Sequence, residues 1–359
     1  MTSQTNPWLR AGYLLASGIL AGSAFSLPSS ANDGFGGLTA TGLQFGQTDK
    51  VAMLSEDLQI GAERISVDYV FENQSGEDVT GEVIFPLPPI SLVGVWEGMF
   101  NLPAEPWPDN LVDFTALVDG QPVEVSIDRI AVLEEQWEEE PAPASFYESP
   151  GEDITARLKE LGIPVSTDRE AVKGALLALS ARDRATLATE GLAEFFESGL
   201  EGEDEVWPAW SILIRYHWKQ TFPAGSQLTI RHEYANHPPG GIFVWHETGD
   251  EYQDLLAARY CIDPAKSAVI SKALTSTEGD EYGAVGAAYY TSYVLRTANS
   301  WAGPIGTFRL TVDKGAPDNI LATCIDGLEE ISPGKYRFEA VSYSPDRDID
   351  IVTITPGFQ

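Results

Sequence analysis

The sequence predicts a mainly β protein built from sandwich-like antiparallel sheets, with a helical unit inserted near residues 152–199. Before and after that unit, apolar and polar residues alternate in short runs that end at Gly and Pro turns, which is the pattern of half-buried strands. Inside the unit, apolar residues recur at helical spacing instead. The change of period at its two ends sets the boundaries of the insertion.

Two hairpins are predicted in the first third of the chain. Apolar residues at every second position form a strand over 65–71, the turn 73–76 reverses the chain, and a second strand follows over 79–87. A proline-rich step ends this pair because proline cannot donate to a sheet ladder. The next hairpin, over 114–127, turns at Asp119-Gly120, a dipeptide typical of tight hairpin turns.

The inserted unit contains four predicted helices. The first carries an apolar stripe over 154–161, and Thr167 with Glu170 forms a capping box for the second. Ser180 caps the third, and residues 192–196 form a short fourth helix. We expect the apolar stripes to face the sheets or one another.

The β pattern returns after the helical unit. One more helix is predicted over 250–260. Further strands are predicted over 212–218, 228–234, 289–295, 308–312, 336–341 and 349–354. The chain from residue 32 to 359 therefore forms one β-rich domain, or two β-subdomains over 32–150 and 205–359 that flank the helical unit.

Residues 1–31 have the composition of a cleaved signal peptide. Arg10 supplies the positive charge, residues 11–25 form an uncharged apolar run, and Ser29-Ser30-Ala31 places small residues at a cleavage site. The alternative is a transmembrane anchor, which needs about 20 apolar residues, and this run is shorter and rich in glycine. We therefore expect the mature chain to begin near Asn32 and to reach the periplasm or the medium.

The chain is strongly acidic, with 54 Asp and Glu against 22 Lys and Arg and a formal charge of −32, which becomes −33 when Arg10 is removed. Such a field repels nucleic acid and anionic lipid, so neither is an expected partner. An acid-rich, lysine-poor surface is also usual in proteins exposed to salt. No segment after residue 31 is long and apolar enough for a membrane span.

The two cysteines, Cys261 and Cys324, are an even number in a chain expected to be exported. This favours a disulfide between them. The close C-x-x-C pair that a redox or metal site would use is absent from the sequence.

All four histidines lie within one short region, as His217, His232, His237 and His246. Imidazole binds zinc and copper in exported proteins, so this cluster is the candidate site for a metal-assisted hydrolase. The spacing of the second and third histidines is one residue too long for a zincin motif, and they follow a strand pattern. Alternation with Leu228 and Ile230 indicates instead that His232 faces the core.

Other candidate sites carry weaker patterns. Asp346, Asp348 and Asp350 alternate along one strand face and could hold calcium, but the glycine and distal glutamate of a calcium loop are missing. A charged strand face or turn is the alternative. No nucleophile elbow or phosphate loop is present, so we assign no catalytic residue and no cofactor beyond calcium or zinc. Five tryptophans could form a stacking platform for glycans, and the alternative is that they occupy ordinary core positions. They are Trp96, Trp107, Trp207, Trp210 and Trp245.

A set of short motifs extends over residues 32–355. They are Asn32-Asp33, the pattern from Gly42 to Lys50, Ser55-Glu56-Asp57-Leu58, Phe85-Pro86-Leu87-Pro88, His232-x-Tyr234 with Gly240-Gly241, Tyr260-Cys261, NSWAGPIGTFRLTVDKGAPDN from Asn299 to Asn319, Cys324, and Pro345-Asp346-Arg347-Asp348-x-Asp350. In these motifs the chain resembles the bacterial domain of unknown function numbered 4424. The resemblance implies an exported protein with Cys261 and Cys324 at matching positions, and it implies no activity.

A second resemblance rests on the Y-x-F-x-N strand, the FPLP step and the V-D-G-x-x-V turn. These are similar to the N-terminal domain of inter-alpha-trypsin inhibitor heavy chains, which implies a β-sandwich used for protein contact. The sequence as a whole predicts an exported, non-catalytic binding or structural protein of the bacterial cell envelope. Its expected partner is another envelope protein or a glycan, and the metal-assisted hydrolase is the alternative function.

Overall fold

The structure is rich in strands and confirms the predicted fold class. The computed structural model describes residues 34–39, 42–45, 48–87, 89–96, 101–103, 108–134, 151–196, 204–245, 251–275, 285–293 and 295–357. About 47 % of it is strand and 20 % is helix, in several antiparallel sheets with a minor helical insertion. The predicted signal peptide, residues 1–31, lies outside the described residues.

The described residues form twenty strands and six α-helices. In chain order the strands are β1 (Gly34–Thr39), β2 (Gly42–Phe45), β3 (Val51–Ile60), β4 (Arg64–Asn73), β5 (Val79–Pro86), β6 (Ile90–Ser91), β7 (Thr115–Val118), β8 (Gln121–Pro122), β9 (Ser126–Leu133), β10 (Ala193–Phe196), β11 (Glu205–Pro208), β12 (Trp210–Phe222), β13 (Gln227–Ala235), β14 (Gly240–Phe243), β15 (Gly286–Tyr293), β16 (Ile305–Asp313), β17 (Ile320–Thr323), β18 (Glu329–Ser332), β19 (Lys335–Tyr343) and β20 (Ile349–Pro356). The helices are α1 (Leu92–Trp96), α2 (Thr155–Glu160), α3 (Arg169–Leu177), α4 (Ala181–Thr189), α5 (Glu251–Tyr260) and α6 (Pro264–Thr275), with a 3₁₀ helix over Arg296–Ser300.

The strands make three sheets and one separate hairpin. Sheet A has the order β2-β1-β5-β12-β6, with β9 also paired to β12, and sheet B has the order β18-β19-β16-β3-β4-β13-β7-β8. Sheet C has the order β14-β15-β20-β17, and β10 pairs with β11. The described pairings are antiparallel except for that of β16 with β3, which is parallel.

Sheets A and B pack face to face through aromatic side chains. Phe71 on β4 meets Phe222 on β12 with ring centroids 5.7 Å apart, which joins the two sheets at one end. Near the other end, Phe114 stacks on Phe85 at 5.0 Å and on Tyr216 at 4.6 Å. Alternate residues of each strand reach this shared core, as period-two patterning requires.

The predicted hairpin of 65–71 with 79–87 is wrong, although both strands exist. Strand β4 pairs with β3 and β13 in sheet B, whereas β5 pairs with β1 and β12 in sheet A. The turn between them crosses from one sheet to the other, anchored by Asn73, whose Nδ2 donates to the Phe222 carbonyl at 2.8 Å. Alternation shows which side of a strand is buried, but it does not show which sheet the strand joins.

The second predicted hairpin is correct at its turn and shorter than expected. Strand β7 turns at Asp119-Gly120 and pairs with the two residues of β8. The chain then leaves sheet B, and β9 joins sheet A through β12. The later half of the predicted return strand therefore belongs to the opposite sheet.

The helical unit has three of its four predicted helices. Residues 192–196 are not helical, because β10 pairs there with β11 over Ala193–Phe196. A five-residue segment gains few helical hydrogen bonds, and here the partner strand satisfies its backbone instead. Helix α3 is capped by Asp168, whose Oδ1 accepts from the Ala171 amide, rather than by Thr167. The predicted Ser180 cap of α4 is present.

Sheet C carries α5 and α6 and has a core of its own. Phe243, Leu256, Tyr260 and Ile270 are among the residues buried in it. Cys261, just after α5, is joined by a disulfide to Cys324, just after β17, with Cα atoms 4.9 Å apart. The predicted disulfide therefore ties the helical layer to the sheet beneath it.

Strands from both sides of the helical unit alternate in sheets A and B, as β5 beside β12 and β4 beside β13 show. The division into β-subdomains over 32–150 and 205–359 stays a prediction about domain boundaries. Among the described residues, no helix combines the length and apolar character needed to cross a membrane.

Candidate functional site

An open cavity of about 510 Å³ lies at the edge of the sandwich, beside the β7–β8 hairpin. Small-molecule sites commonly enclose about 300–1,000 Å³ between mostly apolar walls. The lining residues are Asn110, Phe114, Thr115, Ala116, Leu117, Pro122, Val123, Val125, Ile127, Tyr216, Arg231 and Glu233. They come from β7, β8, β9, β12 and β13 and from the loops beside them, so the cavity exists only when sheets A and B meet.

The β7–β8 wall of the cavity is fixed by its turn. Asp119 and Gly120 both have positive φ, 48° and 74°, as a tight hairpin with right-handed twist requires. The Asp119 amide donates to the Thr229 carbonyl at 2.9 Å, and the Thr229 amide donates to Asp119 Oδ1 at 2.9 Å. These bonds attach the tip of the hairpin to β13.

A side-chain clamp holds the start of the same wall. Asn110 Oδ1 accepts from the Phe114 amide at 2.8 Å, and Asn110 Nδ2 donates to the Phe114 carbonyl at 2.9 Å. The clamp fixes the backbone from which the Phe114 ring enters the core between Phe85 and Tyr216. Asparagine suits this role because one amide group supplies both a donor and an acceptor.

Tyr216 belongs to the cavity lining, and its hydroxyl is buried away from solvent. The residue is fully buried, and burial raises the pKa of its phenol to about 12, although nearby amides of Val112 and Leu111 act in the opposite direction. Loss of hydration outweighs those amides because the phenolate would lack water. The buried hydroxyl is therefore neutral at physiological pH.

This pKa predicts a loss of stability in alkaline solution. The Tyr216 phenol is protonated in both the folded and the unfolded protein below about pH 10. Above that pH the phenol ionises first in the unfolded chain, so the free energy of unfolding should fall between about pH 10 and 12. Tyr216 alone should account for roughly 2–3 kcal/mol. Urea unfolding across this range should show a shallower decline for Tyr216→Phe than for the wild type. Equal declines would contradict the assignment.

Charged side chains make a chain of ion pairs at the rim. Arg231 lies 3.1 Å from Asp68 and 3.5 Å from Glu233, and Glu233 lies 2.6 Å from Arg64. Arg64 in turn lies 3.3 Å from Asp113. Each of these groups is partly exposed, so the pairs contribute little to folding and are available to orient a polar group of a ligand.

The described histidines occupy separate environments. His217 is on the face of β12 that points away from the sandwich core, with Nδ1 3.4 Å from Glu82 and Nε2 3.5 Å from Asp128. His232 is fully buried between the sheets and contacts the Phe85 ring at 5.0 Å, as its alternation predicts.

His237 is partly buried in the loop after β13, which lowers its pKa. His246 lies outside the described residues. Within the described part of the chain, no group of three or more His, Cys, Asp or Glu is placed to hold a metal ion.

The three predicted calcium ligands each have a different partner. Asp350 accepts from the Ser292 hydroxyl at 2.6 Å and pairs with Arg259 at 3.1 Å. Asp348 accepts from the Leu295 amide at 3.0 Å, and Asp346 is exposed beside Arg347. The first two therefore fasten the start of β20 to its neighbours.

Two of the four described tryptophans in the predicted platform are core residues. Trp210 and Trp245 are buried and Trp96 is half-buried, whereas Trp107 lies outside the described residues. Trp207 is exposed on β11, where it contacts Phe196 edge to face at 5.6 Å. The described part of the platform therefore reduces to one tryptophan with one phenylalanine.

Sequence reasoning did not find the cavity. The sequence predicts the β7–β8 hairpin beside the cavity through Asp119-Gly120. Tyr216 and Arg231, however, have the pattern of ordinary strand residues, and nothing in the sequence brings these two residues together. Nothing in the linear pattern indicates that the chain crosses from β8 in sheet B to β9 in sheet A beside this cavity.

Comparisons with known proteins identify the family. No curated protein matches the chain. A crystal structure from Legionella pneumophila, of a protein named provisionally as a nutrient binding protein, aligns at 15 % identity with a TM-score of 0.40, over 91 % of this chain and 72 % of the other. The model of the family described as domain of unknown function DUF4424 matches residues 31–352. The chain therefore belongs to the DUF4424 family, as its motifs predict.

Proposed function

We propose that this protein is an exported, non-catalytic binding protein of the bacterial cell envelope, and that the cavity beside β7 and β8 is its binding site. The observation that carries the proposal is the cavity itself, which combines mostly apolar walls with the charged rim of Arg231 and Glu233. Such a site suits a small molecule with an apolar body and one polar group.

The size of the cavity limits the partner. A folded envelope protein cannot enter about 510 Å³, so such a partner could place only a chain end there, and a glycan could place only a single sugar. A free small molecule fits whole. The expected partners of the cavity are therefore a free small molecule, a chain end or a single sugar.

The chemistry of the lining supports binding rather than catalysis. Among the described residues that line the cavity there is no Ser, Cys, His or Lys, and the one carboxylate, Glu233, is paired with Arg64 and Arg231 rather than placed beside a nucleophile. The Cys261–Cys324 disulfide suits an oxidising compartment. Removal of residues 1–31 and location in the periplasm or medium are part of this proposal.

Filling the cavity should abolish binding. Thr115 is exposed at its mouth, so Thr115→Trp should change the free energy of unfolding by less than about 1 kcal/mol while weakening ligand binding at least about tenfold. Binding is measured by thermal shift with free amino acids, monosaccharides and short fatty acids, and by native mass spectrometry of the protein as purified.

The matched control is Thr307→Trp. Thr307 is also an exposed strand threonine of sheet B, on β16, and the cavity lining does not include it. We expect this variant to bind like the wild type. The proposal fails if no probe binds and nothing co-purifies, or if both tryptophan variants bind equally well.

A further inference from the structure

The free edge of sheet C has the properties of an interaction surface. Strand β14 is the terminal strand of this sheet, and no described strand pairs with its outer side. Its backbone groups on that side can therefore accept another strand, which natural proteins usually prevent with charged residues, bulges or covering loops.

This edge carries no charge, although 21 % of the residues in the whole chain are charged. Between Glu233 and Glu247 the sequence has no Asp, Glu, Lys or Arg, and the same holds between Glu281 and Arg296. These two stretches contain β14 and its neighbour β15. The two strands nearest this edge of sheet C, β14 and β15, are therefore neutral in a strongly acidic protein.

Apolar side chains project from the same edge. On β14, Phe243 faces α5 and α6 and is buried, so the next residues on either side face the opposite way. Ile242 is 77 % exposed and Val244 is 39 % exposed, and Tyr289 on β15 is 40 % exposed on the same face. A bare edge and an apolar patch thus coincide.

We infer that β14 pairs antiparallel with β14 of a second copy, so that two four-stranded sheets join into one across a twofold axis. Two copies that each carry a net charge of about −32 repel each other over most approaches, and the described edge of sheet C lets them meet without placing like charges together. Antiparallel pairing of a strand with itself is self-complementary, as a twofold interface requires. The inference is independent of the cavity and of its ligand.

A glycine helps to hold this edge in place. A Cβ on Gly240 would lie 2.2 Å from the Ala288 carbonyl oxygen of β15, so only glycine permits the observed approach of the two strands. The close ladder keeps β14 extended before any partner arrives, which lowers the entropy lost on pairing.

Self-association is tested by analytical ultracentrifugation of the exported protein over a range of concentrations. We expect a monomer–dimer equilibrium that tightens as the salt concentration rises from about 0.05 to 0.5 M, because screening weakens the repulsion between copies. Ile242→Asp should weaken dimerisation at least about tenfold, since it removes apolar contact and adds charge at the edge.

The matched control is Val341→Asp. Val341 lies on β19 of sheet B and is likewise 77 % exposed, so the same change there should leave the dimerisation constant within about twofold. Circular dichroism checks the fold of both variants. In the wild type, hydrogen exchange of residues 240–243 should slow as the concentration passes the dimerisation constant.

A monomer at every concentration overturns the inference. So does a dimer that Ile242→Asp leaves intact, or one that both aspartate variants weaken equally. A wild-type protein that dimerises as expected but binds none of the small-molecule probes, with nothing co-purifying, would refute the proposed function alone.

Discussion

Replacing Cys261 and Cys324 with serine should lower the free energy of unfolding by up to about 4 kcal/mol. The disulfide closes a loop with a sequence separation of 63 residues, and on the chain-entropy model a loop of this length restricts the unfolded chain by about that amount. The disulfide also joins the end of α5 to the end of β17. Its loss should therefore loosen the helical layer of sheet C first.

The measurement is urea unfolding of the wild type and the double variant, each with and without reductant. Reductant should move the wild-type midpoint to that of the variant and leave the variant unchanged. Equal midpoints for the wild type and the double variant in the absence of reductant would contradict the prediction. In the variant, backbone hydrogen exchange should become faster around Tyr260 than in the sandwich core, because Tyr260 belongs to the separate core under the helices of sheet C.

Replacing Phe71 with alanine should lower the free energy of unfolding by about 3–5 kcal/mol. Phe71 is fully buried and contacts Phe222 across the sandwich at 5.7 Å and Trp301 at 4.4 Å. Its removal would leave a cavity between sheets A and B that the surrounding rings cannot fill without moving strands.

The control for this change is Phe196→Ala. Phe196 is 46 % exposed and contacts only the edge of Trp207 among the described ring pairs, so its loss should cost less than about 1 kcal/mol. Chemical denaturation of both variants checks the difference. Similar losses for the two would mean that Phe71 does not carry the contact between the sheets.

Much of the local structure follows from local signals in the sequence. Period-two alternation located β4 and β13, and the change to helical spacing placed the insertion. Ser180 begins α4 because a hydroxyl at that point satisfies a free amide, and Asp119-Gly120 turns β7 into β8. These features depend on neighbouring residues alone, so one sequence is sufficient to predict them.

The disulfide was also predictable, for a different reason. A chain with only two cysteines offers one intramolecular pairing, and the structure forms it. The number of cysteines and the expected export were sufficient for this prediction, without any knowledge of distance.

Sequence reasoning failed where a segment had two physically acceptable partners. Residues 65–71 and 79–87 alternate in the way that a hairpin requires, yet the turn after Asn73 carries the chain across the sandwich. Residues 192–196 match a short helix equally well, and pairing with β11 makes them a strand. In each case the deciding contact comes from a segment far along the chain or beyond a loop.

The candidate site depends almost entirely on tertiary contacts, so the sequence alone could not predict it. The grouping of His217 with His232 along the sequence suggested one cluster, but one residue faces away from the core of sheet A and the other lies inside the sandwich. Tyr216 and Arg231 meet at one cavity although they belong to different sheets. By itself the sequence determined the fold class, the local turns and caps, the disulfide and the family. The tertiary structure decided which strands share a sheet, where the cavity opens and which edge stays free, because those features depend on burial between segments that are distant along the chain.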